Sequence, residues 1–495
     1  MTDYSRLQNG SDVRGVALPL VEGEPVTLTP EAAREITRAF VRWLSERTGK
    51  APEALSVAVG RDSRLSGPEL AAAAGEGIRR EGAVWGDCAM ASTPAMFMST
   101  VLPGFSFDGA VMVTASHLPA NRNGLKFFTR DGGLESGEIR ELLARAGSLP
   151  PAGEIRGAVT HPPLMEAYSA HLREVILRGI GAGERPLEGF KIAVDAGNGA
   201  GGFFASQVLE PLGADVSASP FLTPDGRFPN HVPNPEDKAA MDAIRDGVVR
   251  GGCDLGIIFD TDVDRAGAVD AGGQEISRNR LIGLLGAIVA REAPGSTVVT
   301  DSVTSSQLTD FLEGKLGLRH RRFKRGYKNV INEGIRLNRE GTPCLLAIET
   351  SGHAAMRENY FLDDGAYAAV KIIIQAALLR KEGKTLGDLL RDLREPLEAA
   401  EYRLPIRGED FAAYGRQVLD ALAEYAAAQP GWQPAPDNFE GVRVSVPAEK
   451  GWFLLRMSLH DPLMPLNIES DREGGAGAIL AQLRPFLAQW PRLGR

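Results

Sequence analysis

The stretch Asp254-Leu255-Gly256-Ile257-Ile258-Phe259-Asp260-Thr261-Asp262-Val263-Asp264-Arg265 runs from an apolar segment straight into an acidic loop. The apolar run predicts a buried strand over 254–260, of the kind found in open α/β sheets. Such sheets place ligands at the C-terminal ends of their strands. Asp260, Asp262 and Asp264 stand there at alternate positions, and three like charges so close are unfavourable unless a cation holds them together. An all-oxygen donor set without His or Cys suits Mg2+ rather than zinc. The spacing also matches the opening of an EF-hand loop, but the glycine and the distal Glu of that loop are not in place. Arg265 adds a bidentate donor for phosphate or carboxylate. A merely solvated acidic turn is disfavoured because the strand continues directly into the carboxylates.

Two further loops share this setting. Thr114-Ala115-Ser116-His117-Leu118-Pro119 follows a strand predicted over 109–113. Ser116 suits a nucleophile or phosphate carrier, although a turn serine is the plainer reading for any single Ser. Glu349-Thr350-Ser351-Gly352-His353 follows a strand predicted over 343–349 and offers Glu349, Ser351 and His353 to sugar hydroxyls.

Working outward, strand and helix patterns alternate. Strands are expected over 55–59, 83–88 and 109–113, with helices over 67–80 and 94–101 between them. A Gly/Pro-rich loop over 147–163 marks a boundary. The pattern restarts with strands over 191–195, 215–219 and 254–260 and helices over 202–212 and 236–250. A third stretch has helices over 280–291, 328–339 and 366–380 and strands over 297–300 and 343–349. The last part has helices over 411–428 and 476–489 and strands near 442–446 and 452–457. The expected fold class is therefore α/β. Three similar domains with buried, mostly parallel sheets (1–155, 160–275, 276–398) precede a smaller α+β domain (399–495). Gly197, Gly199 and Gly202 match G-x-G-x-x-G after a strand, but Asp215 comes too early for the ribose-binding acid of a dinucleotide site. A structural glycine turn is the better reading.

Composition is that of a soluble globular chain, with 43% hydrophobic and 24% charged residues among 495. The net charge of −9 provides no global basic field for nucleic acid. No apolar run approaches a membrane span, and the N-terminus lacks a signal-peptide pattern. The well-separated Cys88, Cys253 and Cys344 read as buried, reduced thiols of a cytoplasmic protein.

In this order and spacing, the three loops resemble the α-D-phosphohexomutase family, which includes phosphoglucomutases and phosphomannomutases. That family's phosphoserine loop T-A-S-H-N-P with N-G-x-K is similar to Thr114–Pro119 with Asn123-Gly124-Leu125-Lys126. Its D-G-D-x-D-R metal loop is similar to Asp260–Arg265, and its G-E-x-S-G-H sugar loop to Glu349–His353. Ser11-Asp12-Val13-Arg14-Gly15, Asp195-Ala196-Gly197-Asn198-Gly199, Pro224-Asp225-Gly226, Phe228-Pro229-Asn230-His231 and Asp364-Gly365 extend the resemblance over nearly the whole chain. Leu118, Thr261 and Ile348 depart from the pattern. So does the fourth-domain phosphate loop, here Arg456-Met457-Ser458-Leu459-His460-Asp461-Pro462.

The resemblance implies four domains around a central cleft and two phosphoryl transfers through a phosphoserine at Ser116. A hexose 1-phosphate and its 6-phosphate, of glucose or mannose, would interconvert through a bisphosphosugar. Glucosamine phosphate is the alternative substrate, and a weakly catalytic sugar-phosphate-binding protein the alternative of another class. Implied catalytic groups are Ser116, Lys126, His353 and Arg14, with His117 either chemical or loop-orienting. Implied substrate groups are Arg265, Glu349, Ser351, Lys324, Arg325, Arg456, Ser458 and His460. One Mg2+ on Ser116, Asp260, Asp262 and Asp264, and a hexose 1,6-bisphosphate activator, complete the expectation. The partners would be small hexose phosphates, with neither nucleic acid nor membrane, and the chain a monomer or homodimer.

Overall fold

Helix Pro30–Thr48 shows how the local sequence sets the elements. Thr29 caps its N-terminus by accepting a hydrogen bond from Ala32 N, Pro30 opens the first turn, and Gly49 ends it in left-handed backbone. Ile36, Phe40, Trp43 and Leu44 lie on its buried stripe and pack with Val57, Val111 and Phe127 of the adjoining sheet. The computed structural model describes residues 2–181, 183–458 and 461–494.

The chain forms two compact units, one of Met1–Leu281 with Ser351–Asp388 and the other of Ile282–Thr350 with Leu389–Arg495. The first unit holds two complete sheets and the antiparallel strand pair Ala354–Met356 with Leu362–Asp363. In the larger, the order is Gln8–Asn9, Asp12–Val16, Arg122–Thr129, Gly109–Val113, Ser56–Arg61, Val84–Met90, Val159–Thr160. The last four of these run parallel. Arg122–Thr129 pairs antiparallel with both its neighbours, so the sheet is mixed rather than mostly parallel. In the smaller sheet Ile192–Asp195 lies parallel to Leu255–Phe259. Leu255–Phe259 then turns through 260–265 into antiparallel Ala266–Asp270.

In the second unit, Thr297–Thr300 lies between parallel Arg319–Arg322 and Cys344–Ile348. Its C-terminal part is an antiparallel sheet in the order Glu398–Pro405, Leu463–Ser470, Gly451–Leu455, Val442–Val446, Gln433–Pro434. Helices Phe411–Ala428 and Gly475–Leu487 complete this α+β domain, packing Val418, Leu422, Ile479 and Leu483 into its core.

Two expected elements differ. Over 202–212 the chain makes π-helical turns at Phe204–Leu209 and a 3-10 turn at Glu210–Leu212. Pro211 lacks the N–H that a continuing helix would use. Over 215–219 there is no strand, only an isolated parallel bridge from Asp215 to Lys191. The three cysteines are buried and form no disulfide. No helix among the described residues is long and apolar enough to cross a membrane.

Candidate active site

Ser116 sits just past strand Gly109–Val113, buried and in left-handed backbone at φ +53°. That conformation costs an L-residue about 1–3 kcal/mol and persists only where its surroundings fix it. Here they do. Ser116 N donates to Thr114 Oγ1 at 2.9 Å, and Thr114 Oγ1 donates to Asp62 Oδ2 at 2.6 Å. Arg64, fully buried, donates to the carbonyls of Ser116, Leu118 (2.6 Å), Pro119 (2.8 Å) and Arg122 (3.0 Å). Arg14 adds a bond to Ala115 O at 3.2 Å while pairing with Asp12 at 2.9 Å.

The acidic loop faces this serine. Ser116 Oγ donates to Asp260 Oδ2 at 2.8 Å. Asp260, Asp262 and Asp264 are all buried, with carboxylate oxygens within 4.8 Å of one another. Lys126, from strand Arg122–Thr129, reaches between them, with Nζ 2.9 Å from Asp262 and 2.5 Å from Asp264. Thr93 also bonds Asp262 through its hydroxyl. Burial pushes Asp260 well above the usual carboxylate range, and the charges of Asp264 and Asp262 push it further. Burial also opposes ionisation of Asp264, but the charges of Lys126 and Arg265 outweigh it and hold this carboxyl low. Asp262 Oδ1 and Asp264 Oδ1 are buried without a hydrogen-bond partner. Unsatisfied carboxylate oxygens converging with a third acid fit a hard divalent cation.

His353 and Arg265 close one side. Arg265 Nε donates to His353 Nε2 at 2.9 Å, and His353 Nδ1 bonds Asp363. A ring that accepts at Nε2 carries its proton on Nδ1, held there by Asp363. His117 Nδ1 lies 3.3 Å from Ser116 Oγ. Burial, with the charges of Arg265 and Arg14, pushes its pKa down to about 2, so the ring is neutral. Ser351 is buried with its hydroxyl unpartnered.

The first unit thus brings together Arg14, Ser116, His117, Lys126, Asp260, Asp262, Asp264, Arg265, Ser351 and His353. Glu349, Lys324, Arg325, Arg456 and Ser458 belong to the second. Glu349 accepts from Gly326 N at 2.7 Å, and Arg325 N donates to Glu440 at 3.1 Å. Lys324 is exposed. Arg456 is buried with Nε unpartnered, and Ser458 Oγ accepts from Asp461 N at 3.2 Å. His460, with Leu459, lies outside the described residues.

Sequence reading missed Asp62, Arg64, Thr93 and Asp363. The first two were findable, since Arg61-Asp62-Ser63-Arg64 leaves the C-terminal end of parallel strand Ser56–Arg61. The glycine motif has a structural use. A Cβ on Gly199 would lie 2.6 Å from Thr261 O, so only glycine lets this turn rest on the acidic loop.

The sequence matches three family models. These are phosphoglucomutase/phosphomannomutase alpha/beta/alpha domain I over residues 5–146, domain II over 166–273 and domain III over 277–397. A Pseudomonas syringae pv. tomato protein named phosphomannomutase/phosphoglucomutase is 31% identical over 465 residues, covering 93% of this chain and 90% of its own. A Neisseria meningitidis phosphoglucomutase is 30% identical over 486 residues, covering 97% and 96%. A solved structure of a phosphoglucomutase/phosphomannomutase family protein from Burkholderia thailandensis superposes with a TM-score of 0.81 at 27% identity, covering 100% of this chain and 99% of that one. The chain therefore belongs to the phosphoglucomutase/phosphomannomutase family of phosphohexomutase enzymes.

Proposed function

We propose that the protein interconverts hexose 1-phosphate and hexose 6-phosphate, of glucose and mannose, through a phosphoserine at Ser116. The observation that carries this reading is the 2.8 Å bond from Ser116 Oγ to Asp260 in a loop of three buried carboxylates. Phosphoryl transfer needs positioning and charge neutralisation more than covalent help. Asp260, Asp262 and Asp264 would hold Mg2+, which supplies that neutralisation to a phosphate on Ser116. Arg64 and Arg14 fix the loop that carries the serine, and neutral His117 orients its hydroxyl. The sugar hydroxyl that takes the phosphoryl group gives its proton to neutral His353, the candidate base. Ser116 Oγ then accepts the other phosphate of the reoriented bisphosphosugar, and the sugar oxygen released takes its proton from Lys126 or from the protonated His353. Arg265 and Ser351, with Glu349, Lys324, Arg325, Arg456, Ser458 and His460, bind ring hydroxyls and the non-reacting phosphate. A hexose 1,6-bisphosphate restores phosphoserine when it is lost.

Of the four domains of this reading, those at 1–155, 160–275 and 276–398 are supported by the three family matches, and that at 399–495 by its own antiparallel sheet and core. A cytoplasmic location is supported by three buried cysteines without a disulfide. The test is a coupled assay with Mg2+ and catalytic glucose 1,6-bisphosphate on glucose, mannose and glucosamine 1-phosphates. Turnover is expected on the first two, with a loss of at least about 10³-fold in Ser116→Ala. Robust activity in that variant sinks the phosphoserine mechanism. Preference for glucosamine phosphate, or binding without turnover, are the outcomes that favour the alternative readings.

A further inference from the structure

His231 is a buried histidine that the chemistry above leaves unused. Its ring faces Asp195 at the C-terminal end of strand Ile192–Asp195, with Nε2 3.0 Å from Oδ2 and 3.2 Å from Oδ1. Its other nitrogen, Nδ1, lies 2.9 Å from Val232 O. Both partners are acceptors only, so both nitrogens carry protons and the ring is an imidazolium. Burial opposes that charge. The carboxylate of Asp195, with Asp237 further off, outweighs it and raises the pKa above the ordinary value. Phe221 packs edge-on against the ring at 5.4 Å.

From this pair a short path leads to the acidic loop. Asp195 Oδ1 also accepts from Gly197 N at 2.7 Å. Two residues on, Gly199 rests against Thr261, and Ala200 N donates to Thr261 O at 2.8 Å. The segment that carries His231 ties down the same turn. Asn230 Nδ2 donates to Asn198 Oδ1 and Asn198 Nδ2 to Thr223 O, both at 2.8 Å. Phe221 and Phe228 in that segment hold left-handed backbone at φ +52° and +50°. Bulky residues keep such angles only where the surroundings over-determine them.

We infer that His231 is a positioning residue: as an imidazolium paired with Asp195 it fixes the 197–200 turn and, through Thr261, sets the spacing of the Asp260, Asp262 and Asp264 carboxylates for Mg2+. The inference rests on the metal reading above. Its test is Mg2+ titration calorimetry on the wild type, His231→Gln and Asp260→Asn, with folding checked by circular dichroism. His231→Gln is expected to bind Mg2+ about 10-fold more weakly, with the KM for hexose phosphate unchanged. In the wild type, Mg2+ affinity is expected to fall as the His231 ring signal titrates in NMR, and that step is absent from the variant. A folded His231→Gln that binds Mg2+ as the wild type does overturns the inference. So does wild-type affinity that stays flat through the His231 titration, a measurement that needs no variant to fold. A wild type that binds no Mg2+ overturns the metal reading and this inference together, whereas equal binding overturns this one alone.

Discussion

Ser116 is held from both sides by one pair of side chains. Its N–H is fixed through Thr114 to Asp62, and its carbonyl is fixed by Arg64. A lysine cannot reproduce the planar fork that reaches four carbonyls. Arg64→Lys is therefore expected to lower kcat about 10²-fold, the cost of misplacing a reacting group by about 1 Å, while leaving Mg2+ affinity unchanged. Lys126→Leu removes a group bonded to both Asp262 and Asp264, and a loss of about 10²- to 10⁴-fold in turnover is expected. Kinetics with saturating Mg2+ separates that chemical loss from weaker metal binding. At this scale the sequence was legible where a residue type is chemically unusual in its place, as with three alternating carboxylates after a strand. It was opaque for Thr93 and Asp363, an ordinary hydroxyl and an ordinary acid whose importance lies in which neighbour they face across the fold.

The element scale shows why some segments read clearly. Helix Phe411–Ala428 and strand Val442–Val446 were legible to the residue, because a long amphipathic period and a compact β-branched run have few competitors. Strand Arg122–Thr129, which carries Lys126, is interrupted by Asn123 and Gly124 and gives no alternation, yet it is buried over 123–128. The Asp215–Ser219 run resembles a strand by composition, but only Asp215 finds a bridge partner. Tertiary pairing decided both cases against local pattern. The Gly197–Ala200 turn makes the matching prediction. Gly199→Ala would press a methyl onto Thr261 O, where a Cβ would lie 2.6 Å away. A destabilisation of about 1–3 kcal/mol and weaker Mg2+ binding are expected, measured by denaturant unfolding and calorimetry. Unchanged Mg2+ affinity would show that the acidic loop does not feel the turn.

Across the whole molecule, α/β stretches followed by an α+β domain could be read from alternation. The assignment of Ser351–Asp388 to the first compact unit could not, because it is set by contacts far apart in sequence. Stability against pH is a property of the whole chain, and Glu469 isolates one contribution to it. Burial raises its pKa to about 7, although Arg443 and the bond from Trp452 Nε1 at 3.0 Å favour the anion. An unfolded Glu ionises near 4.3, so the proton's contribution to stability is complete below about pH 4 and lost as pH rises through about 7. Glu469→Gln keeps an acceptor for Trp452 without the charge. Its stability relative to the wild type is expected to rise by on the order of 3 kcal/mol between pH 5 and pH 8, read from denaturant midpoints. A flat difference would show that Glu469 is ionised throughout.

Lys126 also has a meaning beyond catalysis. Its ammonium lies among the very carboxylates that a divalent cation would use, so removing that cation leaves the acids still partly neutralised from within. Treatment with a chelator is then expected to silence the enzyme while circular dichroism shows the native fold. Under the Mg2+ role proposed above, a chain that brings its own counter-ion would wait out metal starvation dormant rather than denatured, and resume work when the ion returns.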